Sequence, residues 1–195
     1  MYRDVINRGY AYLRRGDPTT AKQQFQQAIE LEPGYPQGYF GLAQVHIEQN
    51  QSEEAQAMLR QALETDPRYV AARAFLGIER LKCYDLDSAQ EELDRALKDE
   101  PNDLLVHIKY SEYFYRLGFY DRAVALLETG LSKPHGANEY VVSLARRRLQ
   151  QAREKARTII LRQPPDPRLL FQSIRRLFSR KKSAQSQTAG TVELS

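Results

Sequence analysis

Pro33, Pro67 and Pro101 close the segments "AIELEPGYP", "ALETDPRYV" and "ALKDEPNDL", and each is 34 residues from the next. A fixed period of this length is the mark of an array in which each repeat is one supersecondary unit that cannot bury its own apolar face. The register extends well beyond the prolines. Ala21, Ala55 and Ala89 recur, as do Ala28, Ala62 and Ala96, with Phe25, Leu59 and Leu93 between them. Upstream, Gly9, Ala43, Gly77 and Ser111 place one small residue in each preceding segment. A looser fourth copy holds Phe114, Gly118, Ala123, Leu127 and Gly130 in register, with Pro134 one residue early.

The pattern predicts helix hairpins and hence an all-α chain. Small residues such as Gly77 and Ala89 let two helix backbones approach, while Phe25, Leu76 and Leu93 fill the space around them at helical spacing. In "RRGDPTTAKQQF", Gly16 terminates one helix, and Asp17 caps the next with Pro18 at its first position. "CYDLDSAQEEL" makes the same turn without a glycine. Pro33, Pro67 and Pro101 end each second helix, because the residue before a proline is held out of the helical region.

On these residues the chain resembles the tetratricopeptide repeat (TPR) family over about Tyr2 to Lys133. The resemblance implies a right-handed superhelical array of antiparallel hairpins, with units at about 2–35, 36–69, 70–103 and 104–137. Some positions depart from the pattern. Arg8 stands where other copies have Leu42, Leu76 and Tyr110; Arg73 and Arg80 replace large apolar residues in the third copy; Gly130 and His135 weaken the fourth.

In that family the first helix of each hairpin lines a concave groove. Matched position by position, the resemblance gives Arg3, Ile6, Tyr10, Leu13 and Arg14 from the first copy, and Gln37, Phe40, Gln44 and Ile47 from the second. The third supplies Ala71, Ala74, Ile78, Leu81 and Lys82; the fourth supplies Leu105, Ile108, Glu112 and Tyr115. Either these side chains meet a ligand, or some of them pack on one another inside a tightly wound superhelix. A subclass of the family grips acidic chaperone C-termini through Lys, Asn and Arg, but the matching positions here hold Ile6, Tyr10, Gly41, Ala71 and Phe75, or in the next register Phe40, Gln44, Phe75, Leu105 and Lys109. The expected ligand is instead a peptide or amphipathic helix docked by apolar anchors three or four residues apart.

"NEYVVSLARRRLQQAREKARTIILRQ" repeats apolar residues every three or four positions and predicts an amphipathic helix over 138–162, placed to cap the fourth hairpin. "QPPDP" breaks it, giving a proline-rich linker at 163–167. A basic amphipathic helix follows at 168–182, and 183–195 has the composition of a disordered tail. Charge divides the chain in the same place. Residues 1–137 hold 16 Lys and Arg against 21 Asp and Glu, a net of −5, whereas 138–195 hold 13 against 4, a net of +9.

In the basic segment Leu170, Phe171, Ile174, Leu177 and Phe178 share one helical face, and Arg175, Arg176, Arg180, Lys181 and Lys182 supply the cations. Four readings are open. The segment lies on an anionic membrane surface; it folds into the groove of its own array or a neighbour's, drawn by opposite charge; it contacts nucleic acid, which no reading motif supports; or it only packs on the end of the array.

Chemistry-bearing constellations are few. His46, His107 and His135 fall in different repeats without ligand-spaced partners, Cys83 stands alone, and no glycine-rich phosphate loop is present, so neither a cofactor nor an enzymatic activity is expected. One cysteine, no apolar run of about 18 residues and no leader-like start lead to the expectation of a cytoplasmic protein, with a peripheral position at the inner face of a membrane as the variant. The function expected is a non-catalytic protein-interaction scaffold, with a peripheral membrane adaptor as the alternative; self-association through an exposed apolar groove is also open.

Overall fold

The computed structural model describes residues 1–161, with side chains through residue 158. The linker, basic segment and tail expected beyond these lie outside the described residues. Met1–Arg153 forms one compact unit, and a second begins at Glu154. Nine helices run through the described residues: α1 Tyr2–Arg14, α2 Pro18–Leu31, α3 Pro36–Glu48, α4 Ser52–Thr65, α5 Val70–Lys82, α6 Leu86–Asp99, α7 Leu104–Arg116, α8 Tyr120–Ser132 and α9 Glu139–Leu161. In the second unit, Thr158 Oγ1 donates to the Glu154 carbonyl within α9.

The first eight helices pair as hairpins α1–α2, α3–α4, α5–α6 and α7–α8, and each second helix packs on the next first helix. Among first helices, α1 touches α3 and α5 touches α7; no comparable contact joins consecutive second helices among the described residues. The chain therefore winds with its first helices inside the curve and its second helices outside.

Each hairpin turn is built the same way. Gly16, Asn50, Tyr84 and Gly118, one per repeat, adopt φ of 74°, 57°, 62° and 82°. The next residue's N–H reaches back into the finished helix: Asp17 to Tyr12, Gln51 to His46, Asp85 to Arg80 and Phe119 to Phe114, all at 2.9–3.0 Å. A left-handed residue followed by this long return bond is the standard way to satisfy the last carbonyls of a helix. Between hairpins, Glu32, Asp66 and Glu100 leave the helical region with φ of −146°, −141° and −132°, as the following proline requires.

The core follows the small residues. Phe25 is fully buried, and its ring lies against both Gly9 of α1 and Gly41 of α3. A Cβ at Gly9 would stand 2.6 Å from that ring, and one at Gly41 would intrude on it further. Leu93 fits against Gly77 in the same manner. In the fourth repeat His107 stands where other copies have Val5, Tyr39 and Arg73, and its ring occupies space that a Cβ on Gly130, alanine in the other copies, would enter at 2.7 Å. Gly130, a departure in the sequence pattern, is thus the complement of His107. Arg8, the departure in the first repeat, is exposed on α1.

The third repeat replaces apolar packing with ions. Arg73 Nη1 and Arg80 Nη2 meet the two oxygens of Glu92 at 3.2 and 3.4 Å. Arg73 also donates to the Pro67 carbonyl at 2.7 Å, and Arg80 lies 3.6 Å from Asp85. Glu92 is largely buried between the two arginines, and Asp94 of the same helix accepts the Tyr110 hydroxyl. Beyond α8, Val142, Ala145 and Leu149 of α9 bury against Leu104, Ile108 and Leu127, and Arg153 pairs with Glu128 at 2.6 Å.

Candidate functional site

The inner face is assembled from the first helices. Of the twelve groove residues expected from the sequence, Ile6, Leu13, Phe40, Ala74, Ile78, Leu81 and Ile108 are buried. They join the hydrophobic clusters between neighbouring helices and form the floor of the face. Neighbouring helices cover these positions, α8 and α9 in the case of Ile108, so helix packing accounts for much of the apolar lining. Tyr10, Gln44, Ile47, Leu105 and Tyr115 are half-buried and reach its surface.

An aromatic row crosses this face. The Phe40 ring meets Tyr69 edge-on at 5.3 Å and Phe75 at 5.2 Å, both near 89°, the geometry favoured by ring quadrupoles. Phe75 in turn lies under the Lys109 ammonium, 3.9 Å from the ring centre. Phe75 and Tyr69 are half-buried and extend the row past the buried Phe40. At the amino-terminal end, Tyr2 stacks obliquely on Tyr35 at 5.3 Å and donates to Gln37 Oε1 at 3.2 Å. Burial, with the neighbouring Tyr2 phenol and Asp66, pushes the Tyr69 hydroxyl up to about 12. The Tyr10 hydroxyl is pushed up mainly by burial, with Tyr69 and Tyr2 adding to it.

Charges gather at the other end. Lys109 Nζ is 3.5 Å from Glu112 Oε2, while Arg116 Nη2 donates to Glu112 Oε1 at 2.8 Å. Burial pushes Lys109 down from the ordinary lysine range against the pull of Glu112, and Arg148 of α9 pushes it further. For Glu112 burial acts upward, but Lys109, Arg116 and Arg148 outweigh it and hold the carboxyl below its ordinary value. Glu79 is 1% exposed and fully engaged: Ser52 Oγ donates to one oxygen at 2.8 Å and Lys82 Nζ reaches the other at 2.7 Å. Gln56 Nε2 donates to the Glu79 carbonyl and, at 3.2 Å, to Cys83 Sγ.

The sequence placed Phe75 and Lys109 only among the positions compared with the acidic-peptide subclass, and it did not single out Tyr69. Their signal was present in the i, i+3 pair Lys109–Glu112 on an otherwise apolar helix and in an aromatic one position off the expected lining register. The three histidines remain apart in the fold. His46 Nδ1 bonds Gln51, buried His107 faces the Leu126 and Pro101 carbonyls, and among the described residues no group of three His, Cys, Asp or Glu side chains converges as metal ligands. No described helix is long and apolar enough to cross a membrane. The sequence-derived segment from Leu170 to Lys182 lies outside the described residues.

Sequence profiles of the tetratricopeptide repeat match residues 12–77 and 84–137. No curated protein matches the chain. Solved structures share its fold. TTC0263, a thermophilic TPR protein of Thermus thermophilus, is 18% identical with a TM-score of 0.64, over 91% of this chain and all of its own. In the APC/C hetero-tetramer Cut9–Hcn1, a chain 16% identical superposes with a TM-score of 0.68 over 80% of this chain; the match spans 31% of that longer chain. The first TPR of Spaghetti (RPAP3), solved bound to the HSP90 peptide SRMEEVD, is 18% identical with a TM-score of 0.54, over 60% of this chain and 92% of its own. Period, turn geometry and profile matches agree that the chain belongs to the tetratricopeptide repeat family.

Proposed function

We propose that this protein is a non-catalytic interaction scaffold that binds a peptide or amphipathic helix of a partner protein along its inner face. The observation that carries this reading is the row Tyr69–Phe40–Phe75–Lys109, which crosses three successive first helices or their entries and keeps accessible surface at both ends. Half-buried aromatics over a buried apolar floor suit anchors spaced three or four residues apart on a ligand. A peptide-bound TPR structure among those of similar fold is consistent with a protein partner.

Phe75→Asp is the informative substitution. Phe40 and Ile78 are 6% and 3% exposed, so a charge at either would unfold the repeat as well as block a ligand. Partner capture by the full chain should be lost in Phe75→Asp while helicity stays unchanged. Capture equal to that of the unaltered chain would place the ligand elsewhere.

A second reading, attachment to anionic membrane through residues 168–182, rests on the composition of that segment: five large apolar residues on one helical face beside a run of cations. Sedimentation with anionic but not neutral vesicles is expected; equal binding to both would dismiss it.

A further inference from the structure

The acidic balance of the array is not spread evenly over its two faces. The inner helices α1, α3, α5 and α7 carry eight Lys and Arg against four Asp and Glu, a net of +4. The outer helices α2, α4, α6 and α8 carry five against eleven, a net of −6. Two inner cations, Arg73 and Arg80, are taken by Glu92. Of the six that remain, Arg3, Arg8 and Arg14 lie on α1, while Lys82, Lys109 and Arg116 of α5 and α7 stand with Arg148 of α9 against Glu79 and Glu112, a local surplus of two positive charges.

At that end stand Lys82, Lys109, Arg116 and Arg148, with Glu79 and Glu112 as the only carboxylates in contact with them among the described residues. Both carboxylates have both oxygens engaged. Arg148 is exposed, makes no ion pair among the described residues, and is near enough to perturb Lys109 and Glu112. Lys109 has surrendered most of its hydration for one carboxylate at 3.5 Å and the face of Phe75. Such an ammonium gains more from another anion than a fully hydrated one does.

We infer that this end of the inner face receives side-chain carboxylates of an acidic amphipathic segment in a partner protein, whose apolar face lies along Tyr69, Phe40 and Phe75. The inference rests on the binding face proposed above and adds the partner's charge and its polarity along the array, apolar towards α3 and acidic towards α9. Internal side chains are favoured over a chain-terminal carboxylate because Glu112 already fills the point on which Lys109, Arg116 and Arg148 converge, which leaves no single clamp open to a terminus. A cationic occupant would meet a surface of its own sign.

The test is a selection with the full chain from a displayed library of amphipathic helices, blocked at their ends, with apolar anchors at i, i+3 and i+7 and Glu, Gln or Lys allowed at every polar position. Enrichment of Glu over Gln in the half opposite the strongest anchors is expected. The selected Glu peptide should bind about tenfold more tightly than its Gln counterpart, with the gap shrinking as salt rises. The double variant Arg116→Glu, Arg148→Glu, at two solvent-accessible positions, should switch the enrichment to Lys. Enrichment of Gln or Lys by the unaltered chain, or Glu enrichment unchanged in the double variant, would overturn the inference while leaving the binding face standing. A parallel selection with Phe75→Asp separates the two claims: unchanged enrichment there would remove the binding face itself, and no enrichment by the unaltered chain would overturn both.

Discussion

Glu92 holds two arginines in positions where other repeats have Val5, Tyr39 and His107 or Tyr12, His46 and Phe114, so neutralising it tests the account of the third repeat. The side chains of Glu92 and Arg73 are 13% and 14% exposed, and the contacts are 3.2 and 3.4 Å. At an effective dielectric near 20, each such contact has a gross Coulomb energy of about 5 kcal/mol. Hydration in the unfolded chain cancels most of it, and breaking a fully buried pair costs about 3–5 kcal/mol net. Here Arg73 keeps the Pro67 carbonyl at 2.7 Å and Asp99 at 3.8 Å, and Arg80 keeps Asp85 at 3.6 Å. Glu92→Gln is therefore expected to destabilise by about 2–3 kcal/mol, below the fully buried case. Urea unfolding followed by circular dichroism should show a midpoint lower by about 1 M at an unchanged slope. The combination Arg73→Leu, Arg80→Leu, Glu92→Leu should recover most of that loss, since apolar groups of similar size can replace a buried ion network. A loss below about 0.5 kcal/mol for Glu92→Gln would show that the network behaves as an ordinary surface pair and refute the reasoning.

Other expectations concern the turns, the close approaches and pH. Tyr84 is 89% exposed at φ 62°, where the register equivalents are glycine or asparagine, so Tyr84→Gly should stabilise by about 0.5–1 kcal/mol in the same assay. Gly41→Ala should cost about 2–3 kcal/mol, because Phe25 is held between Gly9 and Gly41 and has nowhere to move; near-neutral unfolding would mean the ring can shift. Glu112 is held below the ordinary carboxylate range, so its stabilising contribution is complete above the unfolded value and is lost as pH falls through the folded one. Glu112→Gln should flatten the acid limb of a stability–pH curve relative to the unaltered chain, and two parallel limbs would contradict the assignment.

The fold was legible because its determinants are local and periodic. Pro33, Pro67 and Pro101 force extended backbone, Gly16 and Gly118 permit left-handed turns, and the small residues beside Phe25 and Leu93 mark close helix approach. Departures from the pattern inside the array were harder, since those that pack are answered by a residue distant in sequence. Arg73 and Arg80 are answered by Glu92, and His107 by Gly130, which composition alone does not pair. The inner face was legible in its helices and not in its depth. Helical register located its helices but not the depth at which each side chain sits, so Ile78 and Ile108 sank into the floor while Phe75 and Lys109 rose beside them. Net charge locates the acidic balance only for the array as a whole. The −5 of residues 1–137 does not say which face carries it, and the outer helices hold that excess.

The most direct test of an inner binding face is site-specific photo-crosslinking of the full chain in its native cells. A benzophenone side chain is placed at position 75 on the inner face, or at position 91 on exposed outer α6. Crosslinking to one protein partner from position 75 and not from position 91 is the result expected. A partner trapped from position 91 alone would contradict the account.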